Sequence, residues 1–193
     1  MSEHPGAAKP WLAVLLIGLT VAISACSAAA VEPTPVGDAL IDEEVVLRLL
    51  TVADIEAVGA DGGALSPRVE DVRAMAEGVD PEQVREIRSW YGLLFETVDR
   101  RLSLTLTVVE FDSAERAHRQ LDIVESGPAF EAMADPIGDR SVSAGADDGI
   151  GAALAFVSAR RLVTMHSAAA AGVDPLVDEG QLRQLARVVE RRL

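Results

Sequence analysis

The sequence predicts an α+β fold, in which N-terminal helices precede two strand-strand-helix units that form an antiparallel sheet with helices on one face. Three observations lead to this prediction. Apolar residues recur at helical spacing from Glu43, residues 102–108 alternate strictly between apolar and polar, and a second hairpin-and-helix pattern covers residues 151–193. Two such units in tandem assemble one sheet, with helices laid over its apolar face.

The first 25 residues are predicted to be a signal peptide. A polar start with a single lysine, Lys9, precedes the apolar stretch from Trp11 to Ala25. This stretch is shorter than the ~20 residues that a spanning helix needs, and small residues collect at its distal end, as a signal peptidase requires. An uncleaved anchor, or cleavage near residues 28–30, is the alternative.

Cys26, the one cysteine of the chain, lies directly after this apolar stretch. Ile23, Ser24, Ala25 and Cys26 resemble the lipobox of bacterial lipoproteins. That resemblance implies that Cys26 receives a diacylglyceryl group by a thioether bond, becomes the new N-terminus and carries fatty acids such as palmitate. Several buried acyl chains make a stable anchor. The alternatives are an ordinary buried thiol and a disulfide with another chain.

The remaining chain is expected to be a tether followed by one domain. Residues 26–42 hold the modified cysteine and a segment of small residues, prolines and a glycine, which predicts a flexible tether. Residues 43–193 form a single globular domain of the α+β class. The net charge of −14 repels phosphate backbones, so we expect no nucleic-acid partner, and we expect membrane contact through the lipid anchor alone.

Helices are predicted in the front third of the domain. Val45, Val46, Leu49 and Leu50 share one stripe. Residues 51–59 continue with Thr51 or Asp54 as the N-cap and Gly59 as the stop. Further helices are predicted at residues 67–78 and after Asp80-Pro81, where aspartate caps and proline takes the first helical position.

Strands are predicted from Ser89 onwards. Residues 89–97 and 102–111 form a hairpin, with Leu104 and Leu106 facing the core and Thr105 and Thr107 facing away. A helix capped by Asp112 or Ser113 follows, and then a loop at residues 126–150. The second unit has strands at residues 151–158 and 162–167 and a helix at residues 178–193.

Three further segments resemble a loosely defined group of bacterial surface lipoproteins. These segments are LLTVADIEAV, LTVVEFDSAERA and PIGDRS, in that order. The resemblance covers the chain from Leu49 to its C-terminus. The group has no agreed activity, so the likeness implies architecture only.

No catalytic signature is found. Two histidines remain beyond the leader, His118 on a predicted helix and His166 on a predicted strand. There is no Gly-x-Ser-x-Gly elbow, and histidines at such positions are typically structural or solvated. An envelope hydrolase using one of these histidines is the alternative function.

Metal and phosphate sites are not supported either, and we expect no cofactor. Zinc would need cysteine or histidine pairs at short spacing. Asp135, Asp139, Asp147 and Asp148 could offer oxygens to calcium, but their spacing is not that of an EF-hand, so a solvated loop is favoured. The glycines of this region, Gly145, Gly149 and Gly151, match no phosphate-binding fingerprint.

Two other features have both a functional and a structural interpretation. The aromatic residues Trp90, Tyr91 and Phe95 could line a pocket for an apolar ligand or a glycan, although core packing is favoured. The arginines of the C-terminal helix fit the electrostatics of a helix end.

The sequence thus predicts a membrane-anchored protein of the bacterial cell envelope, facing outside the cytoplasm. A non-enzymatic binding or interaction module is favoured, with another envelope protein or a small apolar ligand as its partner. No ligand-binding residues can be named from the sequence.

Overall fold

The computed structural model describes residues 43–61, 65–70, 86–145 and 151–193. The helices of these parts are α1 (Glu43–Leu49), α2 (Val52–Ala57), α3 (Ala114–Glu125) and α4 (Glu179–Arg192). The strands are β1 (Leu65–Glu70), β2 (Ile87–Thr97), β3 (Leu102–Phe111), β4 (Glu131–Ala132), β5 (Arg140–Ala144), β6 (Gly151–Ser158) and β7 (Arg161–Ala169).

The strands form one antiparallel sheet in the order β1-β2-β3-β7-β6-β5-β4. The hairpins β2–β3 and β6–β7 meet along β3 and β7, which pair from Leu102 opposite Ala169 to Glu110 opposite Arg161. The α+β class and the antiparallel sheet are therefore confirmed.

One side of the sheet, which we call the helical face, carries the main core. Leu104, Leu106 and Val108 of β3 are buried there, as their alternation predicts, together with Phe95 of β2. Helices α1, α2 and α4 cover these side chains with the apolar residues Val46, Leu49, Leu50, Ile55, Leu182, Leu185, Ala186 and Val189.

The expectation that all helices lie on one face is wrong. Helix α3 packs on the opposite side, the second face, where Ala117 and Leu121 contact Val157 and Leu162. The reason lies in β6, where residues 152–157 are all buried and all apolar, so both sides of this strand need a cover. Helix α4 covers β6 from the helical face and α3 covers it from the second face.

Side chains cap the starts of three of the described helices, and two of these caps, Thr51 and Ser113, are among the predicted candidates. The Thr51 side chain accepts a hydrogen bond from the backbone of Asp54, and the Asp54 carboxylate accepts one from the Thr51 backbone, which makes a capping box. Ser113 caps α3, and Asp178 caps α4 in a second capping box with Gln181.

The predicted helix at residues 67–78 is wrong at its start, because residues 65–70 form the edge strand β1. Val69 lies opposite Leu93 and packs against the core of the helical face. Leu65, Pro67 and Val69 also fit a period of two, a signal that the helical spacing of Val69 and Val72 obscured. Pro67 has no N–H, so it fits only where the backbone nitrogen faces away from β2, along the outer edge of the sheet. The other predicted helical residues, 71–78, and the predicted helix start at Asp80-Pro81 lie outside the described residues.

The predicted loop at residues 126–150 contains two strands, β4 and β5, which the hydrophobic pattern did not reveal. Ser141 and Ser143 of β5 lie opposite Phe156 and Leu154 of β6 and are buried. Both hydroxyls are hydrogen-bonded, since the Ser141 Oγ accepts a hydrogen bond from Ile137 N, and the Ser143 Oγ donates one to Glu179 at the start of α4. Because polar residues occupy core positions in β5, the hydrophobic pattern of the sequence does not indicate a strand there.

The segment PIGDRS, which carries part of the resemblance to surface lipoproteins, fixes β5 to its surroundings. Ile137 is fully buried, and Arg140 forms ion pairs with Asp122 and Glu125 of α3. Two backbone N–H groups of this segment donate hydrogen bonds, Gly138 N to Glu190 Oε1 at 3.0 Å and Asp139 N to Val157 O at 2.7 Å, and the Asp139 carboxylate accepts one from Ala159 N at 2.8 Å. The motif therefore has a structural explanation in this fold.

Candidate functional site

The lipobox residues Ile23, Ser24 and Ala25, with Cys26, lie outside the described residues, as do the proposed signal peptide and the tether. No helix in the described parts of the chain is long and apolar enough to cross a bilayer.

The three clustered aromatic residues of β2 do not line one pocket. Phe95 is fully buried in the core of the helical face, and Tyr91 is half-buried against the same core. Burial raises the pKa of the Tyr91 hydroxyl. Trp90 points to the second face, and its Nε1 is buried without a hydrogen-bond partner. The core interpretation therefore holds for Phe95 and Tyr91, while Trp90 belongs to a different surface.

His166 lies on the second face, near the middle of the sheet. It is paired across the strands with Thr105 of β3 and Ala153 of β6. Burial lowers the pKa of His166, because the positive form loses hydration and no carboxylate compensates for it. The neutral imidazole both donates and accepts hydrogen bonds. His118 lies away from this position, half-buried on α3.

Four polar side chains meet in two adjacent rows of the second face. Thr105 lies directly opposite His166, and Thr107 lies directly opposite Thr164. Side chains in such pairs are about 5 Å apart, and the rows are roughly 7 Å apart along the strands. We call these residues the threonine-histidine square. All four are half-buried, and none makes a side-chain hydrogen bond to the described residues.

Small or apolar residues border the square on the neighbouring strands. Gly92 and Ala155 flank the row of Thr107, and Leu94 and Ala153 flank the row of Thr105. The next row toward α3 is apolar and runs through Trp90, Val109, Leu162 and Val157. The square is therefore an uncharged polar patch bordered by a row of apolar residues.

His166 was a candidate from the sequence, but no binding role was predicted for the threonines. The alternation of β3 correctly placed Thr105 and Thr107 on the side away from the core. It could not pair them with Thr164 and His166, because the register between β3 and β7 joins residues about sixty positions apart.

The acidic residues suggested for calcium do not converge in the described structure. Asp135 pairs with Arg187, with 2.6 Å between Oδ2 and Nη2. Asp139 accepts a hydrogen bond from Ala159 N, and Asp147 and Asp148 lie outside the described residues. Within the described ranges, no group of three or more metal-binding side chains is found.

The glycines considered for phosphate binding have no common cradle. Gly149 lies outside the described residues, and Gly145 follows β5. Gly151 begins β6 so close to β7 that an added Cβ would lie 1.8 Å from the carbonyl oxygen of Ser167. Strand packing thus accounts for Gly151.

A surface hollow of about 350 Å³ lies at the turn between β2 and β3. Its lining residues are Thr97, Val98, Asp99, Arg101, Leu102 and Val173. The Thr97 hydroxyl donates to Asp99 and accepts from the backbone of Leu102, so these polar groups are already paired. Arg101 adds a guanidinium group to this lining.

The arginines of the C-terminal helix make tertiary contacts. Arg192 binds both carboxylate oxygens of Asp54, at 2.6 and 2.8 Å, and donates to the carbonyl oxygens of Arg48 and Leu49. The end of α4 is thereby tied to α1 and α2.

We expect Arg192→Gln to lower the stability of the domain by about 1 kcal/mol at neutral pH, a value reduced for solvent screening of the half-exposed guanidinium. The hydrogen bond from Arg192 holds the pKa of Asp54 below its usual value. This contribution is therefore complete above the pKa of Asp54 in the unfolded chain, and it is lost as the pH falls through the lower pKa of the folded state. Urea unfolding at neutral and acidic pH measures the effect, and the variant should differ less from the wild type in acid. Arg191→Gln is the control, because Arg191 has no ion pair in the described structure. Equal losses from both variants, at all pH values, would contradict this account.

Comparison with solved structures finds a similar fold in the extracellular domain of PknH from Mycobacterium tuberculosis, with a TM-score of 0.51 and 13% sequence identity. The alignment covers 78% of this chain and 95% of that domain. At this identity the likeness concerns the fold alone. No protein-family model matches the chain, and no curated protein matches it in sequence.

Proposed function

We propose that this chain is a lipoprotein of the bacterial cell envelope, anchored through Cys26, whose α+β domain binds a ligand or another protein outside the cytoplasm. The observation that carries the proposal is the position of Cys26, directly after an apolar segment and two small residues. The similarity in fold to a domain described as extracellular supports the location.

A binding role is favoured over catalysis by what surrounds the polar groups. Neither His118 nor His166 makes a hydrogen bond to a carboxylate or a hydroxyl in the described structure. A histidine that acts as a general base is normally oriented by such contacts. The hydrolase alternative therefore has no supporting observation among the described residues, whereas the second face carries polar side chains that have no hydrogen-bond partner in that part of the chain.

The anchor is tested by Cys26→Ala in the full-length chain, expressed in a bacterium that processes lipoproteins. We expect the wild type to incorporate an alkyne-labelled palmitate analogue and the variant to incorporate none, because the thioether needs the Cys26 sulfur. Ser27→Ala, one residue further on, should keep the label. Intact mass of the purified chain should show a diacylglyceryl adduct on a product that begins at Cys26.

A second measurement reports the cleavage itself. Lys9, in the leader, is the one lysine of the sequence. An amine-reactive dye should therefore label the unprocessed Cys26→Ala precursor at Lys9, while the processed wild type offers at most its N-terminal amine. Equal fatty-acid labelling of Cys26→Ala and wild type would refute the anchor, as would a bare Cys26 in the mass spectrum.

A further inference from the structure

We propose that the surface hollow at the turn between β2 and β3 binds a small aliphatic amino acid in its zwitterionic form. The carboxylate of the ligand pairs with Arg101 and its ammonium group pairs with Asp99. Its side chain lies against Val98, Leu102 and Val173. This assignment rests on the proposed binding role of the domain, and it names the ligand class and the surface that serve that role.

The first argument is the space that the hollow offers. Its volume of about 350 Å³ is near the lower end of the range of about 300–1,000 Å³ that ligand pockets span, so it fits a small molecule. The hollow is open to solvent, since Val98 on its lining is 89% exposed. A ligand can therefore reach the lining directly.

The second argument is that backbone hydrogen bonds hold both walls in place. One wall is the turn between β2 and β3, where Arg100 N donates to Thr97 O at 2.8 Å. The other wall is the segment that follows β7. It is joined to the turn by the bond from Ala170 N to Arg101 O at 2.8 Å, and it folds back through the bond from Val173 N to Ala170 O at 3.0 Å. Walls that are already fixed lose little conformational entropy when a ligand binds.

The third argument is the pair of opposite charges on the lining. The hydrogen bonds from the Thr97 hydroxyl and the Arg101 backbone lower the pKa of Asp99, so its carboxylate is negative at neutral pH. Both bonds end on Oδ1, which leaves Oδ2 for a ligand. Within the described residues, the Arg101 guanidinium makes no hydrogen bond and forms no ion pair with Asp99. A ligand that carries both an ammonium and a carboxylate group can pair with the two side chains at once.

These charges favour a zwitterion over ligands with a single charge. A simple carboxylate would pair with Arg101, but Asp99 and the net charge of −14 would repel it. A simple amine would pair with Asp99, but Arg101 would repel it. An amino acid avoids both penalties.

The fourth argument is the apolar part of the lining. Val98, Leu102 and Val173 offer aliphatic surface next to the two charged groups. An aliphatic side chain on the ligand would remove part of this surface from water, above all at the exposed Val98. The lining therefore matches an amino acid such as leucine better than glycine.

The test is equilibrium dialysis of radiolabelled L-leucine against the full-length chain in lipid nanodiscs, with empty nanodiscs as the blank. We expect saturable binding that unlabelled leucine displaces. Three analogues each lack one recognised group. They are 4-methylpentanoate without the ammonium group, leucinamide without the carboxylate, and glycine without the side chain. We expect each analogue to displace leucine at least tenfold less well.

The matched variants identify the site. Arg101→Gln and Asp99→Asn each remove one charge, and asparagine keeps an oxygen that can accept the hydrogen bonds of the turn. Each variant should weaken leucine binding by roughly tenfold. Arg100→Gln is the control, because Arg100 pairs with Glu96 and does not line the hollow, and it should leave binding unchanged. Circular dichroism and melting temperature establish that each variant is folded, and the two charge variants test the site independently.

Four outcomes would overturn the amino-acid proposal. They are the absence of saturable leucine binding, unchanged binding by the two charge variants, an equal loss in Arg100→Gln, and displacement by any of the three analogues as strong as that by leucine. None of these outcomes affects the test of the anchor at Cys26, so failure here is distinct from failure of the proposed function.

Discussion

Leu104→Asp is expected to prevent the domain from folding. Leu104 is fully buried in the middle of β3, beneath the helices of the helical face. An aspartate there would place a carboxylate among apolar side chains with no cation to pair with it, at a cost of about 4 kcal/mol or more. Since domains are stable by only about 5–15 kcal/mol, we expect loss of the cooperative thermal transition, measured by circular dichroism.

Thr105→Asp is the matched control for this prediction. It introduces the same charge one residue further along β3, on the half-buried second face, where the carboxylate can remain partly hydrated. We expect it to fold with a lower melting temperature than the wild type. If the two aspartate variants were equally stable, the orientation of β3 would be wrong.

Gly138→Ala is expected to have the second-largest effect on stability. Gly138 has a φ of +64°, and a Cβ at this position would lie 2.2 Å from the carbonyl oxygen of Val157. The alanine would therefore have to adopt a left-handed backbone conformation, and its Cβ would clash with the backbone of a buried strand. We expect a loss of about 3 kcal/mol or more, measured by urea unfolding.

Gly172→Ala separates the two contributions. Gly172 has a similar φ of +77°, but nothing lies within 4 Å of the Cβ it would gain. We expect this control to lose only about 1 kcal/mol, the cost of the backbone conformation alone. Equal losses at both positions would show that the contact with Val157 relaxes without cost.

Most of the fold could be predicted from the sequence, because periodicity reports which side of an element is buried. The alternation of β3 and the caps at Thr51 and Ser113 set local structure, and the structure confirms them. The strand β5 was missed because Ser141 and Ser143 occupy core positions, where hydrogen bonds compensate for their polarity. No pattern in a single sequence reveals such compensation.

The candidate site was harder to predict for a different reason. Threonines on a strand are common, and the three threonines of the square become a site only through the register of β3 against β7. The side on which α3 packs is likewise set by the need to cover β6, which depends on contacts distant in sequence. Local patterns thus identified the elements and their polar positions, while the pairing of strands brought those positions together.

The proline of β1 has a consequence for contacts between copies of this chain. The edge strand β1 has no backbone N–H at Pro67, midway along its length, so its outer edge lacks one hydrogen-bond donor. Neighbouring molecules therefore cannot extend one another's sheets through an unbroken ladder of backbone bonds. Two copies that meet at this edge are therefore not joined into one continuous sheet.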